Sequence, residues 1–159
     1  MTNLRFNVRA KTKKADIAMI ARFEALIGCR LPPEYSAFLQ AQNGGEPRPR
    51  EYVRVSDGEK SAVDFFYHLG SGIWSLQSIA RLSWREKTVP KDFLPIARDF
   101  FGGDICMPLS GIEVGRVRYC PDDLGLLEFG TDGFPAESST VLIANSLNGF
   151  LESFHELDG

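Results

Sequence analysis

A chain of 159 residues, 43% hydrophobic and 25% charged, has the length and balance of one globular domain with a sizeable core. The formal net charge of −3 and the pI near 5.4 count against a nucleic-acid binder, which usually carries a basic stripe; they fit a protein that meets a basic partner, and equally many ordinary cytosolic proteins. Twelve phenylalanines predict an aromatic-rich core.

The first fourteen residues are basic, through Arg5, Arg9, Lys11, Lys13 and Lys14. Leu4, Phe6 and Val8 alternate with polar residues, as in an edge strand; a frayed terminus is the other reading. Residues 1–14 are therefore set apart as an arm, with residues 15–159 as one domain. Ile20, Phe23 and Ile27, with Met19 and Leu26 beside them, have helical spacing. Asp16 is placed to cap that helix and Gly28 to stop it. Pro32-Pro33 opens a second helix, because proline is tolerated in a first turn. Tyr35, Phe38 and Leu39 form its apolar face, and Asn43-Gly44-Gly45 reads as its end. The two helices read as an antiparallel hairpin.

Pro47 and Pro49 make residues 46–51 a loop. Residues 52–55 and 64–69 are short β-like runs. Ser75 caps a helix running to about Trp84, with Leu76, Ile79, Ala80 and Leu82 along it, and Pro90 breaks it. Residues 93–97, 104–109, 114–119 and 126–129 are β-like. Turn signals separate them at Gly102-Gly103, Ser110-Gly111 and Pro121-Asp122-Asp123, and such short links imply antiparallel hairpins. Leu147, Phe150, Leu151 and Phe154 mark a closing helix. Helices, then strands, then a helix read as α+β: an antiparallel sheet flanked by an N-terminal helical hairpin and a C-terminal helix.

Catalytic signals are sparse. Gly70-Ser71-Gly72 resembles the start of a phosphate cradle, but Ser75 stands where the third glycine belongs and no βαβ context surrounds it; a plain turn is expected. His68 reads as a strand residue with a satisfied ring and His155 as an exposed helical one. Neither has a Cys, His or acidic partner at ligand spacing. Asp99, Asp104, Asp122 and Asp123 read as turn aspartates before they read as ligands of a hard cation. Cys29, Cys106 and Cys120 are too scattered for a disulfide framework, and the two later ones read as small buried hydrophobes. No nucleophile elbow is present, and no secretory signal or membrane-length apolar run is visible. No catalytic residue, metal or cofactor is expected. The carboxylates Asp57, Glu59, Asp122, Asp123, Glu128, Asp132 and Glu137 fall in or near loops. Each alone reads as solvated surface; together, on a β-rich half, they make a binding face worth testing.

Several blocks carry a family resemblance. Phe23-Glu24-Ala25-Leu26-Ile27-Gly28, Leu31-Pro32-Pro33-Glu34-Tyr35, Phe38-Leu39 and Asn43-Gly44-Gly45 resemble the opening of the SUKH superfamily, with its SMI/KNR cell-wall-assembly regulators. Phe93-Leu94-Pro95-Ile96-Ala97-Arg98-Asp99 and Gly102-Gly103-Asp104-Ile105-Cys106 resemble its central strand–turn–strand. Gly115-Arg116-Val117-Arg118-Tyr119 is similar to the next strand, and Ala144-Asn145-Ser146-Leu147 with Phe150-Leu151 to the closing helix. The likeness runs from about Ile17 to Leu157. It departs at Cys120-Pro121-Asp122-Asp123, where many members have a tryptophan and an acidic–histidine–glutamate turn.

The resemblance implies a non-enzymatic protein-binding domain. Bacterial members are typically immunity proteins that neutralise a cognate toxin domain, often a nuclease; fungal members are regulatory scaffolds. The leading expectation is a cytoplasmic immunity protein whose partner is a toxin domain with a basic active-site cleft, and no nucleic acid or membrane. A regulatory scaffold is the alternative, and an unrecognised enzyme a more distant one. Leu31, Pro32, Tyr35, Phe38, Gly44, Gly45, Gly102, Gly103 and Gly115 are expected to be structural. Asp122, Asp123 and Asp132 are the candidate protein-binding residues; the competing reading makes them turn-formers only.

Overall fold

The structure, a computed structural model, describes residues 4–7 and 13–156. Val8, Arg9, Lys11 and Leu157 lie outside that range. The architecture is α+β. Strands β3 (Glu51–Val53), β4 (Lys60–Phe66), β5 (Phe93–Asp99), β6 (Asp104–Pro108), β7 (Val117–Cys120) and β8 (Val141–Ala144) form one antiparallel sheet in chain order. A separate pair joins β1 (Arg5–Asn7) to β2 (Glu46–Arg48).

Local signals place the helices. Helix α1 (Ile17–Ile27) is capped by Asp16, whose carboxylate accepts from Met19 N–H, and stopped by Gly28 at φ 80°. Helix α2 (Pro33–Ala41) buries Tyr35, Phe38 and Leu39. The link between them is tied by Leu31 N–H donating to Glu24 at 2.7 Å. Helix α3 (Leu76–Glu86) is capped by Ser75, and α4 (Leu147–Glu152) by Ser146. Phe23, Tyr35, Leu39, Leu76, Ile79 and Phe150 from the four helices share one core with Phe66, Leu94, Ala97, Ile105, Met107, Val117 and Ile143 of the sheet. Successive strand side chains alternate faces, so Cys106 points away from Ile105 and Met107. It joins a smaller cluster on the other side with Cys120, Phe93 and Val89.

Several expectations need correction. Residues 46–48 are strand β2 rather than loop: Pro47 needs no N–H at that edge, where it faces Phe6. The α2 helix ends at Ala41, before the glycines, with Gln42 extended. Gly44 and Gly45 do adopt positive φ, but the demand at Gly44 is long-range: a Cβ there would stand 2.8 Å from the carbonyl oxygens of Phe66 and Tyr67. Lys87, left-handed at φ 54°, ends α3 ahead of Pro90. The fourth strand of the β-rich half is not residues 126–129. That stretch begins in a 3-10 turn (Leu124–Leu126), and β7 pairs with β8 instead. His155 lies past α4, where its backbone pairs with Glu51, and Phe154, also past the helix, is buried. His68 follows β4 and its ring nitrogen lies 3.1 Å from Ser71 O. Residues 70–74 form a plain turn into α3.

Candidate protein-binding face

The expected acidic residues lie in turns built by their own side chains. Asp123 begins the 3-10 turn after β7 by accepting from Gly125 N–H at 2.9 Å. Asp132 accepts from Phe134 N–H at 3.1 Å, closing the turn that carries Gly133 at φ 83°. Asp122 abuts the β5–β6 turn: a Cβ on Gly102 would meet its carboxylate at 2.8 Å. Lys87, at the end of α3, ties this region to the helix. Its ammonium donates to Asp132 O at 2.7 Å and stands 5.1 Å from the Phe134 ring centre.

These turns surround a cavity of about 300 Å³. Asp122 lines it, whereas Asp123 and Asp132, next in sequence to lining residues Asp122 and Gly133, are not among the lining residues. Asp104 and Cys120 line it from β6 and β7. Burial raises Asp104 above the ordinary carboxylate range; a bond from Tyr67 at 2.7 Å and the charge of Arg98 oppose the shift, and Asp122 adds to it. Burial, then the Asp104 charge, pushes the Cys120 thiol up to about 12. Burial likewise raises Cys106 and Cys29, so none of the three thiols is poised as a thiolate near neutrality.

Apolar side chains crown the same loop: Leu124 is 72% exposed, Leu126 64% and Phe129 49%. Sequence reasoning missed them by assigning residues 126–129 to a strand; Gly125 and the Asx turn at Asp123 were the signals against it. Glu128 and Glu137 stand on the same loop, exposed. Asp57 and Glu59 do not join them. They shape the β3–β4 turn, where Asp57 pairs with Arg54 at 3.4 Å and accepts from Glu59 N–H at 3.0 Å. Asp99 serves differently again: its buried carboxylate accepts from Tyr52, Ser61 and Phe101 N–H.

The described residues hold no group of three or more His, Cys, Asp or Glu able to hold a metal ion. Nor do they include a helix long and apolar enough to cross a membrane.

The family model described as SMI1 / KNR4 family (SUKH-1) matches residues 14–153. The chain belongs to the SUKH-1 family. Domains of that family are protein-interaction domains and are generally non-enzymatic. This SUKH domain therefore presents its acidic, apolar-tipped loop in a family whose work is binding proteins. No curated protein matches the chain.

Proposed function

We propose that this SUKH domain is an immunity-type protein, working in the cytoplasm without catalysis of its own. It binds a toxin domain with a basic active-site cleft, such as a nuclease, and blocks that cleft. One observation carries the reading: Asp122 lines a cavity together with the exposed Leu124 and Phe129, on the loop that also carries Asp123, Asp132 and the exposed Leu126. Carboxylates steer a basic surface into register, and the apolar tips supply area to bury once it docks. Three free thiols, with Cys106 and Cys120 buried, are consistent with a reducing compartment.

The test begins with a pull-down using the product of the neighbouring gene. With that partner, association rates are compared between the wild type and Asp122→Asn/Asp123→Asn. Asparagine keeps an acceptor for the turn and removes the charge. Slower association and a flatter salt dependence are expected, because screening acts over about 10 Å at roughly 0.1 M salt. An intact variant with unchanged rates and salt dependence removes these aspartates from the interface. Capture of an endogenous regulator in place of a toxin domain favours the scaffold function.

A further inference from the structure

We propose that the cavity between β6, β7 and the loop after β7 is a receptor for one arginine side chain of the partner, which sets its guanidinium between Asp104 and Asp122 and lays its methylene stem along Leu124, Leu127 and Phe129. This deepens the reading of the acidic face as the surface for a basic partner, and rests on it. What it adds is the side chain that is recognised and the place where it is held.

The charge around the cavity is predominantly negative. Residues 119–159 contain no lysine or arginine, and the connection from β7 to β8 carries Asp122, Asp123, Glu128, Asp132 and Glu137. Two other charged side chains line the cavity, Glu86 and Lys87 at the end of α3. Glu86 lies 3.3 Å from Arg85 in an exposed pair. Lys87 spends its ammonium on Asp132 O, at 2.7 Å, and on the Phe134 ring, and neither of those residues lines the cavity. Arg98, whose charge also reaches Asp104, lies 5.4 Å from the Trp74 ring centre. Glu86, Asp104, Asp122, Asp123 and Asp132 therefore outnumber Arg85, Lys87 and Arg98, and the site is complementary to an added cation.

Asp104 is the partly buried carboxylate of the cavity and Asp122 the exposed one. Asp104 opens β6 opposite Cys120 of β7, so two paired strands fix its backbone before any partner arrives. Its Oδ1 accepts from Tyr67 at 2.7 Å; its Oδ2 accepts no hydrogen bond among the described residues. The Asp122 side chain likewise makes no hydrogen bond or ion pair among them. Burial raises the Asp104 pKa against the Arg98 charge, and the Asp122 charge raises it further, so the two carboxylates repel. A cation set between them relieves that repulsion and replaces the hydration Asp104 has lost. Arginine suits the place better than lysine: its planar guanidinium donates to two carboxylates at once and is less strongly hydrated than an ammonium. The apolar wall takes the methylene stem, and the half-exposed Phe129 ring offers a face to the guanidinium. A space of about 300 Å³ matches one side chain rather than a longer segment.

The test uses the full-length protein, labelled with nitrogen-15, and three probes: acetyl-Gly-Arg-Gly-amide, its lysine counterpart, and the citrulline counterpart, which keeps the shape of arginine without its charge. The arginine peptide should shift the amide resonances of Gly103, Asp104, Cys120 and Asp122. It should bind about tenfold more tightly than the citrulline peptide, and more tightly than the lysine one. Asp104→Asn keeps an acceptor for Tyr67, and Asp122→Asn removes the exposed charge; each should weaken the arginine peptide about tenfold while the rest of the spectrum is preserved. Asp123→Asn, beside the cavity but outside its lining, should weaken it far less. Four results would overturn the proposal: no shift at tens of millimolar peptide, equal binding of the citrulline or lysine peptide, shifts that fall away from the cavity, or binding unchanged in both Asp104→Asn and Asp122→Asn. No toxin enters this titration. Its failure removes the arginine slot and leaves the association-rate test of the acidic face intact, whereas flat association rates alongside a positive titration remove the toxin partner and keep the slot.

Discussion

Tyr67 donates its phenolic proton to Asp104 over 2.7 Å, and that bond does not offset what burial costs the carboxylate, whose pKa remains raised. The native state therefore holds the Asp104 proton more tightly than the unfolded chain does. Above the ordinary carboxylate range the charge is a penalty on folding; below it the penalty disappears. Asp104→Asn keeps an acceptor for Tyr67 and should raise the urea midpoint at neutral pH, with the gain shrinking as pH falls. A lowered midpoint at neutral pH would show that the charge is favourable there.

The opposite end of the pH scale tests Cys120. Its pKa is raised from 9.0 to about 12, so its contribution is complete below about 9 and is lost as pH rises toward 12. Tyr119, raised to about 12 by burial and then by Asp99, adds to the loss at the upper end of that window. Urea midpoints measured across that range should fall, and should fall less steeply in Cys120→Ala. Thiol labelling of the folded protein near neutrality should modify Cys29 first, because Cys106 and Cys120 are buried.

Helix α2 offers a contrast between two aromatic residues. Phe38 packs on Phe6 and Phe66, with ring centres at 5.6 and 5.1 Å, so Phe38→Ala should cost about 3–5 kcal/mol in a urea melt. Tyr35 is fully buried, yet its hydroxyl has no hydrogen-bond partner among the described residues. Tyr35→Phe should leave the midpoint unchanged or raise it, since an unsatisfied buried hydroxyl costs about 1–3 kcal/mol. A clear drop would reveal a partner for that oxygen.

Two glycines with the same φ of 80° should respond differently to alanine. Gly28 opens onto free space, so Gly28→Ala should cost only the left-handed penalty, about 1–2 kcal/mol. Gly44→Ala adds a clash with two backbone oxygens at 2.8 Å and should unfold at markedly lower urea. Equal midpoints would mean that the chain near Phe66 yields.

The parts of the fold legible in the sequence are those written within a few residues. Asp16, Gly28 and Ser75 mark helix ends because capping acts over three or four positions. The strands around Gly102-Gly103 were legible for the same reason. What stayed hidden depends on distant partners. Asp99 looks like an ordinary turn aspartate until Tyr52 and Ser61, 47 and 38 residues away, are folded onto it. Asn43 reads as helix punctuation, but its side chain bonds Lys13 O and both backbone groups of Leu69. Leu126, Leu127 and Phe129 have strand-like character but join none of the named strands; Phe129 makes one isolated bridge to Pro135, and the three end as exposed tips and a cavity wall. Of the proposed binding face, the carboxylates could be named from sequence; the cavity that Asp122 lines could not.

The pairing of β1 with β2 bears on where this domain physically starts. The family match begins at residue 14, yet Phe6 lies before it with its ring edge-on to Phe38 and Phe66. The border drawn by sequence comparison thus cuts through a packed aromatic cluster. A chain begun at residue 14 would leave the faces of Phe38 and Phe66 that meet Phe6 open to water and free the β2 edge to pair with a neighbouring molecule. Such a shortened chain should lose about 1.5–3 kcal/mol, the worth of one buried aromatic side chain, and should aggregate at concentrations where the longer one does not. The first strand, in these terms, is the cork of the domain.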